Sequence, residues 1–163
     1  MRILVVGNSG AGKSTLARRL AGDHDLAHLD LDPLAWLPTT TPTRRPLADS
    51  LIEVEAFLAA RPRWVIEGCY ADLLAALAPR ATLLVFVNPG VEACVANCRA
   101  RPWEPHKYAT PEAQDANLAM LLDWVRAYPT RDDVCSLAAH RALFDEHAGP
   151  KRELVRLDQP LER

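Results

Sequence analysis

The N-terminal residues constrain this chain more than any other stretch. An apolar run from Ile3 to Val6 ends in Gly7-Asn8-Ser9-Gly10-Ala11-Gly12-Lys13-Ser14-Thr15, and a helical pattern from Leu16 to Leu20 follows. A strand, then GxxxxGK[ST], then a helix is the sequence signature of a phosphate-binding loop. The glycines let backbone N–H groups turn inward around phosphate oxygens, and the helix N-terminus adds its positive end. Lys13 is then expected to reach the β- and γ-phosphates and Ser14 to offer a hydroxyl to Mg2+. A dinucleotide-binding turn does not fit, because Lys13-Ser14 follows the last glycine. The NKxD and DxxG motifs of a GTP-dependent switch are absent. ATP is therefore the expected nucleotide.

Beyond this loop, apolar β-type runs alternate with helical segments, as in a parallel sheet flanked by helices. The pattern predicts strands over 2–6, 26–29, 63–67, 82–87 and 153–157. Three helix starts are expected from caps: Ser50 with Glu53, Thr110 before Pro111, and Thr130 with Asp133. Between the fourth and fifth strands lie about three helices' worth of residues where one crossover would suffice, which predicts a lid or helical insertion over 99–149. The Pro-rich stretches 33–46 and 102–111 read as loops. At 163 residues with 49% apolar composition, the chain suits a single domain, 1–163.

Charge and hydropathy narrow the partners. A net charge of -2 gives no global attraction to nucleic acid or to anionic membrane. The apolar run over 83–87 is far too short to span a bilayer, and no signal segment is legible. A cytoplasmic protein is expected, with its four cysteines, Cys69, Cys94, Cys98 and Cys135, as reduced thiols.

Phosphoryl transfer also needs acids that orient the acceptor and hold the metal. His28-Leu29-Asp30-Leu31-Asp32-Pro33 closes the second strand, and Asp30 and Asp32 point the same way if that strand continues. Asp30 is the first choice for the acceptor-facing acid and Asp32 the second; the alternative is a turn that serves only Pro33. Glu67 ends the third strand before Gly68, where it can join Ser14 in organising Mg2+; the alternative is a solvated strand-end glutamate.

These motifs together, GNSGAGKSTLA, HLDLDPLAW, WVIEGCY and a fourth strand ending VNP, resemble the P-loop nucleoside and nucleotide kinase superfamily. Within it they are similar to the adenylate-kinase-like bacterial proteins called DNA topology modulation proteins. The resemblance implies a three-layer α/β fold with a five-stranded parallel sheet of order 2-3-1-4-5, an ATP site at Gly7 to Thr15, an acceptor site beside Asp30, and a lid after the fourth strand. Glu67 stands where that family tends to have Asp, and Cys69 where a polar residue is usual. The Asp30-x-Asp32 pair also resembles shikimate kinases, whose substrate-binding arginines are not identifiable here.

Basic residues complete the expected site. In the lid, Arg99 and Arg101, with Lys107 nearby, can close over the transferring phosphate; at an i,i+2 offset on a helix only one of the two arginines reaches it. Arg126 and Arg131 can add to this from the next helix. Arg44 and Arg45 can meet an anionic group of the acceptor, or lie solvated in their loop. Trp36 and Trp103 can stack on the acceptor or form apolar wall. Cys94 and Cys98 complete an apolar helical stripe with Val91 and Val95. The expected activity is ATP- and Mg2+-dependent transfer of the γ-phosphoryl group to a small acceptor, a nucleoside or nucleotide being one class. The alternative is a nucleotide-dependent ATPase or switch acting on a macromolecule.

Overall fold

The computed structural model describes residues 1–39, 42–105 and 108–161. Five strands, β1 (Arg2–Gly7), β2 (Ala27–Asp30), β3 (Trp64–Gly68), β4 (Leu83–Val87) and β5 (Lys151–Leu154), pair in parallel in the order β2-β3-β1-β4-β5. The order is the one the resemblance implied. The central strands read as unbroken Val, Ile and Leu because both faces of a parallel sheet are covered.

Alternation along each strand sorts the two faces. Ile3, Val5, Val65, Val85 and Val87 pack against α1 (Lys13–His24), α5 (Val91–Arg99) and α6 (Pro111–Arg126). Leu4, Val6, Trp64, Ile66, Leu84 and Phe86 pack against α3 (Leu47–Ala60), α4 (Ala71–Leu77) and α7 (Leu137–Glu146). Each fully buried Leu or Ile contributes about 1.5–3 kcal/mol relative to an exposed one. Cys94, Val95 and Cys98 are buried in the first layer, as their helical stripe predicts. Three helices do separate β4 from β5, namely α5, α6 and α7.

Boundaries differ from the sequence expectation where a cap was misplaced. Thr110 does cap α6, accepting from Ala113 N–H at 3.2 Å. Ser50 does not begin a helix: α3 starts at Leu47, and the buried Ser50 hydroxyl donates to Leu34 O at 2.7 Å, fastening α3 to the short helix α2 (Asp32–Ala35). Thr130 with Asp133 begins no helix either. Asp133 instead accepts from Cys135 N–H at 2.7 Å, and the cap of α7 is Ser136, bonded to Ala139 N–H at 3.1 Å. The last strand lies earlier than 153–157, because Leu154 is the residue buried against the sheet while Val155 is 54% exposed.

In this topology the carboxyl ends of β1, β3 and β2 open side by side, where open α/β sheets place their ligands. The ends of those strands and the segments after them hold Gly7 to Thr15, Asp30, Asp32 and Glu67, while Arg99 and Arg101 follow β4.

Candidate functional site

The loop over 7–14 is formed by two left-handed glycines. Gly10 has φ +78° and Gly12, the N-cap of α1, has φ +97°. Each also fills a tight spot: a Cβ on Gly10 would stand 2.4 Å from Cys94 O, and one on Gly12 would stand 2.8 Å from Leu157 Cδ1. Side chains from other elements hold this loop. Asn8, only 2% exposed, donates to Val125 O at the end of α6 (3.2 Å), and its Oδ1 accepts from Ser9 N–H (2.8 Å). Asn97 of α5 donates to Gly10 O at 2.8 Å. The Lys13 ammonium donates to Asn8 O at 3.0 Å.

Opposite the loop stands Glu67, paired in register with Asp30 of β2 and Val5 of β1, and 2% exposed. Burial pushes its carboxyl up, but the neighbouring His28 ring, the Lys13 charge and the Ser14 hydroxyl outweigh burial and hold it below the ordinary carboxylate value. Among the described residues no donor comes within hydrogen-bond distance of its buried Oε1; His28 Nε2, also buried and unsatisfied, stands 3.7 Å from it. A buried carboxylate oxygen that satisfies no donor, beside a hydroxyl and a lysine, is a donor set suited to a hydrated divalent cation. Ser14 and Glu67 therefore fit Mg2+.

The two acids after β2 diverge rather than point the same way. The strand stops at Asp30, Leu31 N–H bonds Glu67 O at 3.0 Å, and α2 begins at Asp32. Asp30 Oδ1 accepts from Asp32 N–H at 2.9 Å, which makes it a turn-closing side chain. Asp32 lines a cavity of about 570 Å3 together with Ser9, Gly10, Lys13, Ser14, Thr15 and Glu67; Asp30 is not among the lining residues. The carboxylate of Asp32 is held by Tyr70, whose hydroxyl donates to Oδ1 at 2.9 Å while accepting from Trp36 Nε1 at 2.7 Å. An indole N–H only donates, so the Tyr70 proton is directed at Asp32. Burial, with Asp32 beside it, keeps the phenol protonated well above its ordinary range.

The predicted basic residues divide. Arg101 lines the cavity and pairs with Glu104 at 3.3 Å, whereas Arg99 is exposed and does not line it. Trp103 lines it as well, and Lys107 lies outside the described residues. Trp36, Arg44 and Arg45 border a second cavity of about 410 Å3 with Trp124 and Cys135. Arg44 bonds Ala35 O at 3.1 Å and Asp72 at 3.1 Å, its guanidinium 4.8 Å from the Tyr70 ring centre; Arg45 pairs with Glu53. Arg126 pairs with exposed Asp123, and Arg131 lies on the Trp124 ring, 3.5 Å from its centre. Sequence reasoning gave no role to Tyr70, Asn97 or Leu157. Only Tyr70 carried a signal, as the aromatic residue two places beyond Gly68 at the end of an apolar strand.

No family model and no curated protein matches the sequence. Similar solved structures include a gluconokinase from Sinorhizobium meliloti 1021, 18% identical, covering 98% of this chain and 84% of that one at a TM-score of 0.49. A sugar kinase from Janibacter sp. HTCC2649 is 18% identical over 98% of this chain and 86% of its own, at a TM-score of 0.47. A shikimate kinase from Aquifex aeolicus vf5 is 16% identical over 99% and 89%, at 0.45. At these identities the likeness concerns the fold, and the chemistry of the site is read from its own residues.

Proposed function

We propose that this protein is an ATP- and Mg2+-dependent phosphotransferase that moves the γ-phosphoryl group to a hydroxyl of a small acceptor. The observation that carries the reading is one cavity holding a phosphate-type loop, a buried acid with an unsatisfied oxygen, and a second acid aimed by a tyrosine. Phosphoryl transfer asks mainly for positioning and charge stabilisation, and these groups divide that work. The backbone amides over 8–14 and the Lys13 ammonium receive the terminal phosphates. Ser14 and Glu67 would hold Mg2+, which when bound neutralises charge between the phosphates. Asp32 orients the acceptor hydroxyl and takes its proton. Arg101 exchanges Glu104 for the transferring phosphate, where a planar guanidinium stabilises spread charge.

The test is acceptor-dependent ADP release, measured across nucleosides, nucleotides and small hydroxylated metabolites, with Lys13→Ala as the blank. Turnover that rises with one acceptor and vanishes in the blank supports the reading. Turnover indifferent to every small acceptor but raised by a macromolecule would replace it with a nucleotide-dependent switch.

A further inference from the structure

Two thiols that the proposed chemistry leaves unused face each other between the two cavities. Cys69 follows β3 and Gly68, lines the larger cavity and is 7% exposed. Cys135 precedes α7, borders the smaller cavity and is 3% exposed. The two side chains lie side by side in the same buried layer. Their backbones are fastened side by side: Ala71 N–H donates to Val134 O at 3.0 Å, Asp133 holds Cys135 N–H at 2.7 Å, and His140 donates to Cys69 O at 2.8 Å. Neither thiol is in a disulfide, so both sulfurs are reduced.

We propose that Cys69 and Cys135 form an oxidative modification site, in which hydrogen peroxide entering through the larger cavity converts the pair to an intramolecular disulfide. The balance is complete with the peroxide as oxidant. Cys69 sulfur attacks one peroxide oxygen, an S–O bond forms, the O–O bond breaks, and the departing oxygen leaves as water with the thiol proton. Cys135 sulfur then attacks Cys69 sulfur, the S–S bond forms, the S–O bond breaks, and a second water leaves with the Cys135 proton. Two thiols are oxidised and one molecule of hydrogen peroxide is reduced. Cys69 is the thiol that attacks the peroxide because it is the one on the larger cavity; Cys135 is the resolving thiol because it lies beside Cys69. The remaining cysteines are placed otherwise. Cys94 and Cys98 lie on one helix, and Cys98 Sγ sits against the phosphate loop, 2.6 Å from where a Gly10 Cβ would be. The bond would tie the loop carrying Tyr70 to the start of α7, beside the acid that Tyr70 aims.

The test uses the full chain and needs no acceptor, so its outcome is independent of the kinase reading. Folded protein is treated with hydrogen peroxide, quenched, denatured and titrated for thiols, then mapped by mass spectrometry without reduction. The expected result is loss of two of the four thiols, loss of two hydrogens from the intact mass, one Cys69–Cys135 cross-linked peptide, and full reversal by dithiothreitol. Cys69→Ser and Cys135→Ser should each abolish the cross-link, and Cys135→Ser should leave Cys69 as sulfenic or sulfinic acid. Survival of all four thiols, a link between other cysteines or between chains, or oxidation of Cys69 without a link in the unsubstituted protein would overturn the proposal.

Discussion

His140 makes stability depend on pH through a single buried ring. It is fully buried under Phe86, with Nε2 on Cys69 O and Nδ1 on Tyr128 Oη, each at 2.8 Å. A carbonyl oxygen only accepts, so Nε2 carries the proton and neutral Nδ1 accepts from the phenol. Burial is the main reason that its pKa falls from 6.5 to about 4, with the Lys13 and Arg131 charges adding to the fall and the Cys69 bond opposing it. The unfolded chain thus binds a proton that the folded chain refuses, and stability falls as pH drops through the window between these values. Linkage gives a loss of about 2 kcal/mol between pH 7.5 and 5, and about 3 kcal/mol by pH 4. The assay is the urea midpoint at a series of pH values for the unsubstituted protein and for His140→Gln, whose amide can donate to Cys69 O and accept from Tyr128 without titrating. The two curves should diverge below pH 6.5, the glutamine variant losing about 2 kcal/mol less by pH 5. Parallel curves across that window would refute the reasoning.

Four further substitutions bear on the site. Lys13→Ala should abolish transfer and weaken nucleotide binding, seen by calorimetry, since it removes the full positive charge that the loop itself supplies. Asp32→Asn should lower transfer by ~10²–10⁴-fold with nucleotide affinity nearly unchanged. Asp30→Asn should leave transfer close to normal, because an amide oxygen closes the same turn onto Asp32 N–H; steady-state kinetics of the pair decide which acid serves the acceptor. Gly12→Ala should cost about 1–2 kcal/mol in thermal or urea unfolding, the price of a left-handed alanine pressed on Leu157, and should weaken nucleotide binding as well.

The phosphate loop, the parallel sheet and the buried stripe of Cys94, Val95 and Cys98 were legible because each is local: a fixed spacing, a run of β-branched residues, a period of 3.6. The helix starts were less so. Ser50 and Thr130 have the composition of caps, yet one hydroxyl is taken by α2 across the chain and the other donates to Ala127 O at 3.1 Å. The expectation that Asp30 and Asp32 share a face failed on one residue of strand length, since β2 ends at Asp30 and an i,i+2 pair shares a face only while the strand lasts. Tyr70 and Leu157 are joined to the site by contacts between distant parts of the chain, and no spacing encodes those. The arginines expected to meet an acceptor, Arg44 and Arg45, show the same limit, because Arg44 is claimed by Asp72 and by ring faces that only the fold brings near.

The two asparagines that hold the phosphate loop have a mechanical consequence. Asn97 takes hold of Gly10 O from the end of α5, and Asn8 takes hold of Val125 O at the end of α6. Two helices that follow β4 are thereby fastened to the loop, and the cavity wall from Arg101 to Pro105 starts two residues beyond the end of the first of them. A ligand seated on the loop amides therefore meets a cradle pinned at two points, and displacing Gly10 or Asn8 has to break a side-chain amide hydrogen bond to α5 or α6.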